Sequence, residues 1–135
     1  MSMFRLKCSS CGQVVNGEAG SACPKCAKAF TSDTSSYIQI YRMGSPLGIA
    51  VGYGVYINGE PYGHLGNKES IRIPLPYGKY NISFTCGMTR KCDPLAVELS
   101  ENAPIAYVKA HIQAGFFANK IVAEVADAAS MPEIN

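Results

Sequence analysis

The sequence predicts a mainly β protein, an N-terminal zinc ribbon followed by an antiparallel β-sandwich. Three observations carry that reading. Cys8, Cys11, Cys23 and Cys26 form C-x2-C-x11-C-x2-C; beyond residue 36 apolar residues recur at every second position in short runs; and no stretch between those runs has a long helical period.

Cysteines two residues apart can turn both sulfurs toward one ion. Two such knuckles on adjoining hairpins complete a closed tetrahedral shell at Zn–S distances of about 2.3 Å. One structural zinc bound by Cys8, Cys11, Cys23 and Cys26 is therefore expected, with no coordination position left for a water. Residues 1–30 are too few to build their own core, because chains below about 40 residues usually need a metal, disulfides or a partner. Phe4-Arg5-Leu6-Lys7 leads into the first knuckle as a short strand, and Val14 to Gly17 suggests a second strand and its turn. Gly12 follows the first knuckle, where a positive φ lets backbone N–H groups reach the sulfurs; Ala27 stands at the matching place after the second.

Residues 31–36, Thr-Ser-Asp-Thr-Ser-Ser, contain no apolar side chain and read as a linker to a sandwich domain over 37–135. Tyr37 to Tyr41 alternates, and Val51, Tyr53, Val55 and Ile57 share one face of a strand ending at the tight-turn pair Asn58-Gly59. Ile71, Ile73 and Leu75 make a third face, ended by Pro76-Tyr77-Gly78. Tyr80, Ile82 and Phe84 alternate with polar residues, Leu95, Val97 and Leu99 follow, and Ile105 to Ile112 adds a further strand. Residues 120–129 fit either a strand, through Ile121, Ala123 and Val125, or a short alanine-rich helix.

The chain has 12 basic and 10 acidic residues. Arg5, Lys7, Lys25 and Lys28 against Glu18 give the ribbon a surplus of three positive charges, but a zinc tetrathiolate carries −2, so the loaded ribbon is only about +1. Charge alone gives little support to nucleic-acid binding. Met1 to Lys7 lacks the apolar core of a secretory signal, and the uncharged stretch 43–59 is interrupted by Gly and Pro where a membrane span needs about 20 mostly apolar residues. Thiol ligands without such a signal point to a reducing cytoplasm.

Residues 4–26 resemble the short N-terminal zinc ribbons of many bacterial and archaeal proteins. Ile40-Tyr41-Arg42, Val55-Tyr56-Ile57-Asn58-Gly59-Glu60 and Leu75-Pro76-Tyr77-Gly78-Lys79-Tyr80 resemble the signals of small bacterial β-sandwich modules of the PEGA and transthyretin-like kind, in particular an uncharacterised family with the same order of signals. Asn58 stands where aspartate is common in such modules and Tyr77 where a second proline is frequent. The resemblance implies a non-catalytic binding or spacer domain, often of cell envelopes.

No catalytic constellation emerges. His64 lies beside a predicted turn and His111 on a predicted strand, with no nucleophile or base tied to either. Cys86 and Cys92 flank a loop and read as ordinary thiols, a disulfide under oxidant, or half of a second metal site with His64 or His111. The glycines from Gly48 to Gly54 lead into a strand rather than a helix N-terminus, so close packing or a bulge explains them better than a phosphate cradle. Asn81-Ile82-Ser83 is a chance sequon inside a strand. Tyr53, Tyr80 and Tyr107 fall at inward positions, whereas Tyr56, Tyr62 and Tyr77 sit near turns where they can offer contact area.

The functional expectation is a non-enzymatic, zinc-binding interaction or scaffold protein with a macromolecular partner, a protein in the first instance. Nucleic-acid binding through Arg5, Lys7, Lys25 and Lys28 is one alternative, and a rubredoxin-like redox protein using the same four cysteines is another.

Overall fold

Alternation at period two becomes strands throughout. The computed structural model describes residues 4–43, 52–66, 68–86, 94–113 and 120–127. Its strands are β1 (Phe4–Lys7), β2 (Val14–Gly17), β3 (Tyr37–Arg42), β4 (Tyr53–Ile57), β5 (Glu60–Leu65), β6 (Ser70–Pro74), β7 (Gly78–Cys86), β8 (Leu95–Leu99), β9 (Ile105–Gln113) and β10 (Lys120–Ala126). Among the described residues there is no helix, so the ambiguous tract at 120–126 resolves as a strand.

β1 and β2 form an antiparallel hairpin, and the other eight strands make two four-stranded sheets. One has the order β10-β9-β3-β6 and the other β5-β4-β7-β8. The architecture is all-β with antiparallel sheets, with one departure: β3 and β9 run parallel, from Tyr37 beside Ile105 to Arg42 beside Ala110. Parallel neighbours require a long crossover, and here the whole second sheet lies in it. Alternation within a strand says which face is buried but not which way its neighbour runs, so this pair was not legible beforehand.

The inward row of each strand makes the core. Ile38 and Ile40, Tyr53 and Val55, Ile73, Ile82, Phe84, Leu99, Val108 and Ile121 are all essentially inaccessible. Asn58 and Gly59 have φ of 52° and 81°, the two positive values a type I′ hairpin turn needs, and Ile57 duly pairs with Glu60. Gly54 lies at a bulge in the β4–β5 ladder. A Cβ there would stand 2.6 Å from Thr85 Oγ1, which bears out the packing reading for this glycine; Gly48 lies outside the described residues.

Arg42 breaks the apolar pattern. It is 0% exposed, its guanidinium lies 3.9 Å from the Tyr53 ring centroid, and its Nη1 donates to the Leu65 carbonyl at 3.1 Å. The end of β3 is thereby tied to both β4 and β5. A second, smaller cluster of Phe4, Leu6, Cys8, Cys23 and Phe30 belongs to the N-terminal segment, with Val15 and Tyr37 packed against it. Between the two, the 31–36 segment is hydrogen-bonded: Asp33 Oδ1 accepts from the Ser35 N–H and hydroxyl, and the buried Ser36 hydroxyl donates to the Leu75 carbonyl. Those two donors hold the Asp33 carboxyl below its ordinary pKa.

Candidate metal centre

The two knuckles repeat one backbone design. The Cys8 N–H donates to Gln13 O at 2.8 Å and Gly12 N–H to Cys8 O at 3.0 Å; in the second knuckle, Cys23 N–H donates to Lys28 O and Ala27 N–H to Cys23 O, each at 2.8 Å. Each turn closes with a residue of positive φ, 80° at Gly12 and 65° at Ala27. An L-residue pays about 1–2 kcal/mol for that conformation. Ala27→Gly is therefore expected to stabilise the metal-bound ribbon by about 1 kcal/mol, read as roughly fivefold greater resistance to a competing chelator. Unchanged or weaker metal retention would show that Ala27 carries no strain.

The four Sγ atoms lie within 4.8 Å of one another. Cys8 and Cys26 approach to 3.5 Å and Cys11 and Cys23 to 3.6 Å, close to the S···S edge of about 3.8 Å that a tetrahedron with 2.3 Å bonds requires. Cys8 and Cys23 are buried, while Cys11 and Cys26 reach the surface. The four cysteines are thus arranged to hold a metal ion.

The local electrostatics of the bare thiols point the same way. N–H groups of Cys11 and Ser10 pull the Cys8 thiol down to about 6. Burial works against the Cys23 thiolate, but N–H groups of Cys26 and Lys25 outweigh it and lower that pKa as well. The Lys28 N–H favours the Cys26 thiolate, yet sharing a proton with Cys8, burial and the nearby Cys11 and Cys23 push Cys26 up to about 11. Backbone dipoles favour negative sulfur here, and four sulfurs this close cannot all ionise without a cation between them.

The structure divides the basic residues of the ribbon. Arg5 is 5% exposed; its Nε donates to Asn16 Oδ1, its Nη1 donates to the Tyr62 carbonyl at 2.9 Å, and Glu69 lies 4.0 Å away. Burial lowers the Arg5 pKa, with Glu69 partly opposing. Gly63 makes room for this arginine: its φ is +82°, and a Cβ there would lie 2.8 Å from Arg5 Nη1. Lys7 donates to the Pro61 carbonyl at 3.1 Å, pairs with Glu60 at 3.6 Å and sits 4.9 Å from the Tyr62 ring centroid. Arg5 and Lys7 therefore hold the ribbon to β5, and Lys25 and Lys28 are the two left exposed. That role for Arg5 and Lys7 was missed because nothing local to residues 4–7 points to a strand more than fifty residues away.

The turn tyrosines also separate. Tyr77 is 55% exposed, but Tyr56 is half-buried, and Tyr62 packs on the core beneath Lys7. Burial, then Glu60 and Tyr80, raises the Tyr62 pKa. Of the inward set, Tyr53 is fully buried and edge-on to Phe84, while Tyr80 and Tyr107 are half-buried; the Tyr80 hydroxyl donates to Pro76 O at 2.6 Å, and burial raises its pKa. His64 is exposed near the end of β5, and His111 is half-buried on β9. The structure does not gather them into the cysteine cluster. Cys92 and the loop after Cys86 lie outside the described residues. Among the described residues no helix is long and apolar enough to cross a membrane. Comparison with protein-family models, with curated proteins and with solved structures gave no match.

Proposed function

We propose that this is a non-catalytic, zinc-binding interaction or scaffold protein of the cytoplasm. In this reading Cys8, Cys11, Cys23 and Cys26 hold one structural zinc, and the sandwich is a module of the PEGA or transthyretin-like kind. The observation that carries it is the set of four sulfurs within 4.8 Å, at the ends of two knuckles of matching backbone geometry. A metal there supplies folding free energy to a ribbon whose own buried apolar cluster is only five residues. Four protein sulfurs fill a tetrahedral shell, so the chemistry left to the ion is structural. The partner is proposed to be a protein, met through the exposed second knuckle or the Tyr77 turn.

Metal analysis of the purified protein is expected to give one zinc per chain and no visible colour. Iron, with strong visible absorption, would move the reading to a rubredoxin-like redox protein using the same ligands. Absence of any bound metal would sink both. The nucleic-acid alternative rests on Lys25 and Lys28 alone now that Arg5 and Lys7 are engaged on β5. It requires an affinity that falls with salt by a slope that flattens when those two lysines are replaced.

A further inference from the structure

The ribbon sits against two sheet edges at once. β5 and β6 follow each other in the chain and are edge strands of different sheets; β1 touches both of them, and β2 touches β5. The contacts are specific. Arg5 and Lys7 donate to consecutive carbonyls of β5, those of Tyr62 and Pro61, and the Lys7 ammonium lies over the Tyr62 ring. Phe4 meets Tyr37 edge-on at 6.2 Å, and the Arg72 guanidinium of β6 lies 5.8 Å from each of those two rings. β5 is shaped to receive the hairpin: Gly63 has a φ of +82°, and a Cβ there would stand 2.8 Å from Arg5 Nη1 and 3.4 Å from Val14 Cγ1.

The same hairpin carries half of the metal centre. Its loop is the first knuckle, because β1 ends at Lys7, Cys8 follows, and Lys7 pairs with Val14 on the far side of that knuckle. Arg5 ties the two strands together again through Asn16. The two cations that grip β5 thus stand one and three positions before a sulfur ligand. A buried cluster of five residues is too small to order this hairpin alone. Metal binding and docking on β5 therefore require the same ordering of chain, and two events that share an ordering cost favour each other. By linkage the effect is reciprocal.

We propose that the ribbon is a zinc-operated latch. Metal at Cys8, Cys11, Cys23 and Cys26 closes it over the β5–β6 side of the sandwich, and metal loss opens that side, uncovering the Tyr62 ring and the carbonyls of residues 61 and 62. This rests on the zinc reading above and adds that the sandwich tunes how tightly the ion is kept. Tyr62 and Gly63 are positioning residues for a metal they do not touch, acting through Lys7 and Arg5. The surface that the protein presents then follows the metal supply.

The test is a linkage cycle on the full chain, with zinc affinity measured by competition against a chromophoric chelator. Tyr62→Ala and Gly63→Ala lie on the sandwich and remove no ligand and no bond internal to the ribbon. Each should weaken zinc binding about fivefold or more, the lower end of typical coupling between sites. Lys79→Ala, at an exposed lysine of β7, should leave it unchanged. A merely structural defect in β5 would lower the sandwich's urea midpoint equally with and without metal. The latch requires instead that zinc raise the wild-type midpoint and that the rise shrink in both variants. Tyr62 ring resonances of the wild type should move toward solvent-exposed positions on chelation and return with zinc. Zinc affinity unchanged in both variants overturns the proposal, as does a Tyr62 ring indifferent to metal or an equal loss in Lys79→Ala. A chain that binds no zinc sinks the zinc reading and this one with it, whereas normal zinc binding that neither variant weakens sinks this one alone.

Discussion

Replacing Cys23 with serine is expected to abolish zinc binding and disorder the ribbon while the sandwich keeps its strands. Cys23 is 2% exposed, receives two backbone N–H groups at its sulfur and lies 3.6 Å from Cys11, so no neighbouring group can substitute for it. Metal binding at such a site contributes an apparent ~10–16 kcal/mol at neutral pH, far more than a five-residue cluster can replace. The sandwich cluster, by contrast, contains no ribbon residue among its buried members. Amide resonances of 4–30 should collapse toward random-coil positions. Those of 61–62 and 70–74 should shift, because Arg5, Lys7 and β1 leave them, and the remaining sandwich resonances should stay dispersed. Collapse of the whole spectrum would show that the two clusters fold as one unit. Persistence of an ordered ribbon without metal would show that the cysteines are not its main support.

Arg42→Ala is expected to destabilise the sandwich by about 3 kcal/mol or more, with zinc stoichiometry unchanged. The side chain is wholly enclosed, so truncation leaves a cavity, removes the cation from the Tyr53 face and takes a donor from the Leu65 carbonyl. Arg42→Lys should restore only part of the loss, because an ammonium cannot lie flat on the ring while its donors reach sideways to a carbonyl. Urea unfolding followed by strand signal measures this as a fall in midpoint at constant slope. A loss below about 1 kcal/mol would mean that neither the filled space nor the contacts of the buried guanidinium support the sandwich, because truncation to alanine removes both.

The metal centre was legible before any fold was known because its information is local. A C-x2-C pair fixes two sulfurs on one turn, and the turn residue after it, Gly12 or Ala27, takes the positive φ that the sequence position implies. Tyr53, Val55 and Ile57 were likewise legible as one buried row, since period two needs no knowledge of the partner strand. Residues 120–126 were not, because the same small apolar residues suit both a strand and a helix. Pairing with β9, from Lys120 beside Gln113 to Ala126 beside Tyr107, settles that choice.

What the sequence determined by itself was therefore the all-β class, the four-cysteine cluster and most inward-facing rows, each set by spacings of two or three residues. Only the tertiary structure decided that β3 lies parallel to β9, that Arg42 is enclosed beside Tyr53, and that Arg5 and Lys7 are spent on the carbonyls of β5. These are meetings of residues that lie 11 to more than 60 positions apart. A charged side chain reads as surface in sequence until the fold brings a ring or an unpaired carbonyl within its reach, and the energy that then holds it comes from the partner rather than from its neighbours along the chain.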